Sequence, residues 1–276
     1  MSTWLITGSS SGLGRDLARA VLDAGHNAVV TARNADSVKD LVDSHPDTAL
    51  AVGLDVTDHD QVAKAVRLGE QRFGAVDVLV NNAGYGYRAA VEVGDDADVA
   101  TLFATNVFGA VALIKAVLPG MRARRHGAIV NISSIGARIS PAGSGYYSAS
   151  KSALEGMYGS LRKELAPLSI SVTVVEPGAF RTEFAGRSLQ QSATVIDDYA
   201  ETAGKRRKEV DTAHGTQPGD PARAAQAILA AVEADAPPAL LLLGPDALSA
   251  VRGVIDAQLA ELTEWEATSL GTDLQH

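Results

Sequence analysis

The stretch Trp4-Leu5-Ile6-Thr7-Gly8-Ser9-Ser10-Ser11-Gly12-Leu13-Gly14 decides the architecture. Its first four residues form a short apolar run of β type. Glycines follow at 8, 12 and 14, and then an alanine-rich amphipathic stretch over residues 13–24. A strand that turns through glycines into a helix presents unpaired N–H groups and a positive dipole end to an anion. Glycine also lets the backbone turn tightly and come close to a phosphate. The spacing is G-x-x-x-G-x-G, not the commoner G-x-G-x-x-G. The alternative is a tight βα loop without a ligand; the strand before and the helix after argue against it.

Outward from this turn the same alternation repeats. Apolar runs at residues 27–32, 49–54, 76–80, 128–132, 171–175 and 239–243 are apolar on both faces, as buried parallel strands are. Helix-length segments lie between them at 35–44, 58–73, 96–124 and 147–166. This βαβα order predicts an α/β fold: a doubly wound parallel sheet of about seven strands with helices on both faces. Right-handed crossovers put every strand C-terminus on one edge, where ligands bind. The chain reads as a single domain, 1–276. Its regularity pauses after Pro177-Gly178. Residues 180–218 read as irregular, with apolar Phe180, Phe184, Leu189 and Ile196 and the basic run Lys205-Arg206-Arg207-Lys208. A stretch of that length is expected to form a substrate lid. Asp220 and Pro221 open a helix to about residue 235, and a last helix is expected over about 246–268.

Composition narrows the function. The 276 residues are 46% hydrophobic and carry a net charge of −9. That balance disfavours a nucleic-acid partner, and the 205–208 run, without interleaved aromatics, reads as a solvated face. The absence of cysteine excludes disulfides, thiolate zinc sites and a cysteine nucleophile. The six histidines show no ligand spacing, so no metal is expected. No purely apolar run approaches the ~18 residues of a membrane span. The first strand is expected within three residues of Met1, so no signal peptide is expected. A cytoplasmic location is the expectation.

Two further signals concern chemistry. The second strand ends in Ala32-Arg33-Asn34, where dinucleotide folds usually carry an acid about 20 residues past the turn for the ribose hydroxyls. An arginine pairs with a 2′-phosphate that an aspartate would repel, and Arg15 adds charge nearby. NADP(H) is therefore expected over NAD(H), with Arg33 and Asn34 at the adenosine end; the alternative is that Arg33 is a solvated charge. The second signal is Tyr147-Ser148-Ala149-Ser150-Lys151. The i, i+4 spacing puts Tyr147 and Lys151 on one helix face. An ammonium near a phenol stabilises the phenolate and tunes it for acid–base work. Tyr146 lacks that partner, since residue 150 is Ser.

With these motifs the chain resembles the short-chain dehydrogenase/reductase family, whose members have a single Rossmann domain, over nearly its whole length. The matching residues are the 7–14 turn, Asp55-Val56, Asn81-Asn82-Ala83-Gly84, Asn106, Asn131-Ile132-Ser133-Ser134, Tyr147 with Lys151, and Pro177-Gly178 with Thr182. The resemblance implies that Tyr147 is the acid/base and that Lys151 lowers its pKa and binds the nicotinamide ribose. Ser134 would bond the substrate oxygen, in preference to Ser133, which should point the other way. Asn106 would hold a water in a proton relay ending at Lys151, or else serve only structure. Asp55, Val56, Asn82, Ala83 and Gly84 would line the adenosine side, and Pro177, Gly178 and Thr182 the nicotinamide. Tyr85-Gly86-Tyr87, residues 139–143 and the lid would wall a small hydrophobic carbonyl or alcohol substrate, as in the steroid- and retinoid-type branch. Small residues Ala149, Ala153, Gly156 and Ser160 suggest a homodimer or homotetramer. Two other readings stay open: a non-catalytic dinucleotide sensor, and a sugar-nucleotide epimerase or dehydratase, for which the basic lid could hold an anionic substrate.

Overall fold

A computed structural model describes residues 1–186, 188–213 and 215–274. The glycine turn joins β1 (Thr3–Ile6) to α1 (Gly12–Asp23), and β2 (Asn27–Ala32), α2 (Lys39–Ser44), β3 (Ala49–Gly53), α3 (His59–Phe73) and β4 (Val78–Asn81) follow. After a short β5 (Gly86–Arg88) come α4 (Asp96–Phe103), α5 (Gly109–Arg124), β6 (Gly127–Ile132), α6 (Gly136–Ile139), α7 (Gly145–Leu165) and β7 (Ile170–Pro177). The last part holds β8 (Leu189–Gln191), α8 (Lys205–Ala213), α9 (Pro221–Glu233), β9 (Leu240–Leu243), α10 (Pro245–Glu264) and α11 (Glu266–Leu270).

Seven strands form one parallel sheet in the order β3-β2-β1-β4-β6-β7-β9. This is the doubly wound Rossmann-like α/β arrangement that the alternation predicts. Alternate strand residues feed two cores. Trp4, Ile6, Val30 and Val80 pack with Leu17 and Val21 of α1 and Ile228 of α9. Leu5, Val29, Leu79 and Ile129 pack with Val66 of α3, Leu113 and Val117 of α5, and Leu154 and Tyr158 of α7. The strand order reverses direction between β1 and β4, so their C-terminal ends border the crevice where such sheets take ligands.

Local chemistry sets several boundaries. Asp58, Asp95 and Asp220 each accept two backbone N–H bonds at the starts of α3, α4 and α9, as N-caps do. α1 is different: no side chain caps it and no acid sits in its first turn. Its first-turn N–H groups are thus left without a side-chain cap.

Two expectations about secondary structure change. The 96–124 helix contains a π turn at Ala104–Phe108, with Asn106 inside it; such a turn has no compositional signature. By length and mean hydropathy, 1.8, Asp96–Arg124 could also cross a membrane. Here its Leu113, Ile114, Val117 and Met121 pack into the second core. The 180–218 segment is not irregular throughout. β8 pairs in parallel with β5, Gly86 opposite Leu189 and Arg88 opposite Gln191. A π turn at Ala200–Gly204 then leads into α8.

Candidate active site

The crevice at the β1/β4 reversal is the mouth of a cavity of about 820 Å³. One end is the glycine turn. Gly8 holds φ at +69°, a region that a side chain disfavours. Asn82 locks this turn: its Nδ2 donates to the carbonyls of Thr7 (2.8 Å) and Gly8 (3.2 Å). Thr7 Oγ1 in turn accepts from the N–H groups of Asn82 and Ala83, both at 2.9 Å. A β-carbon on Gly14 would lie 2.2 Å from Asn82 Nδ2 and 2.7 Å from the Gly8 carbonyl. Gly14→Ala is therefore expected to push Asn82 out of place and destabilise the fold by about 1–3 kcal/mol. A lower urea midpoint together with weaker dinucleotide binding checks this; an unchanged midpoint sinks it.

Of the residues singled out in the sequence, Gly8, Ser10, Ser11, Gly12, Leu13, Arg33, Asp55, Val56, Asn82, Ala83, Gly84, Ser134, Tyr147, Lys151, Pro177, Gly178 and Thr182 line this one cavity. Four do not. Ser9 is buried, and its hydroxyl donates to the Ile6 carbonyl at 2.9 Å. Gly14 serves packing. Asn34 accepts from Asp36 N at 3.1 Å and caps the turn after β2. Asn106 donates to the Tyr85 carbonyl (3.0 Å) and Ser150 Oγ (3.1 Å) and accepts from Tyr85 N (3.1 Å). Both its amide protons are engaged, so its side chain ties the Gly84–Tyr85 segment to α7. Arg15, expected to strengthen the adenosine end, is instead ion-paired with Asp40. Arg33 is exposed at the cavity rim.

Ser134, Tyr147 and Lys151 line the same part of the cavity wall, with the Ser134 hydroxyl hydrogen-bonded to the Tyr147 phenol. Ser134 Oγ accepts from Gly136 N at 3.0 Å, whereas the Ser133 hydroxyl turns away and donates to Glu155 Oε1 at 2.6 Å. Tyr146 points elsewhere, its hydroxyl donating to the Val91 carbonyl at 2.6 Å. Lys151 Nζ donates to the Ile132 carbonyl at 2.8 Å and lies 5.9 Å from the Tyr147 ring centroid. Burial pushes the Tyr147 phenol up to about 12; the Ser134 hydroxyl and the Arg88 charge oppose this. Burial brings the Lys151 ammonium down to about 8, with Glu155 opposing. At neutral pH the site thus holds a protonated phenol beside an ammonium. The cation that draws the tyrosine down is Arg88, not Lys151, and the i, i+4 spacing cannot reveal it.

The substrate end differs from the purely apolar wall expected. Tyr85, Ile139, Pro141, Phe180 and Phe184 line the cavity, and Phe184 lies 5.6 Å from Tyr147 between ring centroids. Tyr87 turns into a separate cluster with Ala89 and Leu102. Leu189 packs toward Gly86, where a β-carbon would meet it at 2.6 Å. Arg88, Gln190 and Arg206 stand in the wall as well. Within the basic run read as solvated, Arg206 faces the cavity and Arg207 donates to the Ser192 carbonyl at 2.7 Å.

The arrangement of nucleotide turn, central tyrosine and lysine defines a class, and comparison with known proteins places the chain in it. A family model described as short chain dehydrogenase matches residues 2–193. The chain belongs to the short-chain dehydrogenase/reductase family, whose members bind a nicotinamide dinucleotide. It is 37% identical over 270 residues to "Oxidoreductase BOA17" of Botryotinia fuckeliana, covering 98% of each chain. It is 39% identical over 203 residues to a "3-ketodihydrosphingosine reductase" of Bacteroides thetaiotaomicron, covering 72% of this chain and 71% of that one. A crystal structure of a short-chain dehydrogenase from Streptomyces avermitilis superposes with a TM-score of 0.92 at 44% identity, covering 99% of this chain and 100% of that one.

Proposed function

We propose that this oxidoreductase is NADP(H)-dependent and interconverts a hydrophobic ketone or aldehyde with the corresponding alcohol. The observation that carries the reading is the buried Tyr147 phenol, set beside Ser134 and Lys151 in a cavity that ends at the glycine turn. The residues fit a dinucleotide: α1 has an uncapped N-terminus for a pyrophosphate, and Gly8 and Gly12, both at positive φ, keep side chains off its approach. When bound, the nicotinamide supplies or accepts the hydride. Ser134 and Tyr147 hold the substrate oxygen by hydrogen bonds that strengthen as negative charge develops there. Tyr147 Oη gives the proton in reduction and takes it back in oxidation. Lys151, anchored to the Ile132 carbonyl, balances the phenolate left behind. Phe184 and Ile139 supply apolar wall for the substrate body. The reductase name of the Bacteroides relative fits a carbonyl substrate.

Arg33 is the basis for preferring NADP(H), because a guanidinium at the end of β2 can take a 2′-phosphate bidentately. The test is a panel of carbonyl compounds with NADPH and with NADH, run on the wild type and Arg33→Asp. A charge-assisted hydrogen bond contributes about 1.5–3 kcal/mol, so the NADPH/NADH ratio of kcat/KM is expected to fall about 10–100-fold in the variant. An unchanged ratio overturns the cofactor preference. We also propose a homodimer or homotetramer formed through α7, whose Ala149, Ala153, Gly156 and Ser160 are exposed.

A further inference from the structure

Arg88 is a cation in the wrong place for a neutral hydrophobic substrate. β5 alternates so that Tyr87 enters the packing with Leu102 while Arg88 turns into the cavity beside Tyr147. One of its terminal nitrogens donates to Ser144 Oγ. Its Nε is buried and has no partner. Among the described residues no carboxylate lies within ion-pair distance of it. Burial and the neighbouring Arg206 charge bring the guanidinium down to about 10, so it stays charged at neutral pH. Arg206 reaches the same wall from α8. It pairs with Glu209 at 3.0 Å, and its own Nε is also buried and unpartnered.

A desolvated cation with no carboxylate paired to it directly, and only the more distant charge of Glu209 to offset it, is costly to keep, and an apolar side chain of similar shape would pack there without that cost. Two guanidiniums around one carboxylate leave an excess positive charge on the substrate wall. The donors that remain free belong to arginine, whose planar fork matches an oxyanion. We propose that the substrate carries an oxyanion group, a carboxylate or a phosphate, in addition to the carbonyl that reacts, and that Arg88 receives it with Arg206 alongside. The proposal rests on the carbonyl-reductase reading above and assigns the substrate class of that same cavity. The apolar wall then holds the part of the substrate between its two polar ends.

The test compares 4-oxo-4-phenylbutanoate with its methyl ester, which share the ketone and the ring and differ in charge. Each enzyme is read as its own acid/ester ratio of kcat/KM with NADPH, so a loss of folded protein cancels. A site built around a charged group rejects an analogue that lacks it. The ratio is expected to exceed about tenfold in the wild type, collapse toward one in Arg88→Met, recover in part in Arg88→Lys, and fall in Arg206→Met. A wild-type ratio near one overturns the proposal. So does an Arg88→Met enzyme that keeps the ratio and only shifts the pH profile of both compounds, which would make Arg88 a positioning residue for the Tyr147 proton. A second readout needs no turnover: with NADP+ saturating, the acid should raise the Tm more than the ester in the wild type and equally in Arg88→Met. Absence of reduction with a preserved Tm difference counts against the reductase reading alone. Reduction of both compounds without a Tm difference counts against the oxyanion site alone.

Discussion

Tyr147→Phe is expected to lower kcat for carbonyl reduction by about 10³-fold while leaving the dissociation constant for NADPH within about twofold. The variant removes a single oxygen. The ring still packs beside Phe184, and the glycine turn, Asn82 and Lys151 are untouched, so the fold and the dinucleotide cradle should persist. What goes is the proton donor and one of the two hydrogen bonds to the substrate oxygen, which puts the loss in kcat rather than in cofactor affinity. Stopped-assay NADPH consumption together with a fluorescence titration of NADPH separates the two. The wild-type enzyme carries a matching pH signature. Burial holds the phenol up to about 12, so the acid form needed for reduction is present throughout the neutral range. Oxidation needs the base form, and its rate should climb with pH through the alkaline range. A Phe variant that still turns over at more than a tenth of the wild-type rate would remove Tyr147 from the chemistry.

The second large effect is on stability and lies just behind the site. Glu176, at the end of β7, is fully buried. Its Oε1 accepts from Arg138 Nε at 3.0 Å, and its Oε2 has no partner. Arg138 also pairs with Glu155 at 3.1 Å, and Glu155 takes the Ser133 hydroxyl. Burial and the nearby Glu155 push the Glu176 carboxyl up to about 7, against the pull of Arg138. Its folded pKa thus exceeds its unfolded value. Folded protein keeps a proton that unfolded chain has released, so this group's contribution is full below the unfolded value of 4.5 and is lost as pH rises through about 7. Lys151 adds little slope at pH 5; as pH nears its folded value of about 8 it adds a slope of the opposite sign, since the folded chain releases a proton that the unfolded chain keeps, and this cancels when the variant is compared with the wild type at one pH. Arg138→Met strips the cation from two carboxylates. Breaking a buried pair costs about 3–5 kcal/mol, and because Arg138 is 41% exposed, about 2 kcal/mol is expected at pH 8. The deficit should shrink at pH 5, where Glu176 is protonated. Urea melts at both pH values check this; a deficit that is equal at pH 5 and pH 8 rejects the account.

Much of the fold is legible because a buried parallel strand is a short, mostly apolar run with few polar residues on either face. β2 and β6 match their apolar runs almost residue for residue. The glycine turn, Ser134, Tyr147 and Lys151 are legible because each sits at a fixed offset from a strand or helix end. What escaped the sequence lacks any local pattern. β5 and β8 are three residues each, too short for a period of two to show. Arg88 is one charge on such a strand, and nothing in its neighbours announces that it turns inward. Arg206 sits in a basic run whose composition reads as solvent-facing, and only the docking of α8 turns it toward the cavity. Glu155 and Glu176 are far apart in sequence and share Arg138 only once α7 and β7 are packed. Asn106 was legible as a position but not as a role, because the π turn aims its amide at Tyr85.

The pairing of β5 with β8 joins two pieces of chain about a hundred positions apart into one ribbon. Gly86 N bonds the Ser188 carbonyl at 2.9 Å, and Ser192 N bonds the Arg88 carbonyl at 2.9 Å. Arg88 and the 189–191 strand are therefore a single mechanical part. Under the oxyanion proposal, selectivity depends on both patches together, and a graft that transplants residues 189–191 alone leaves its other half behind.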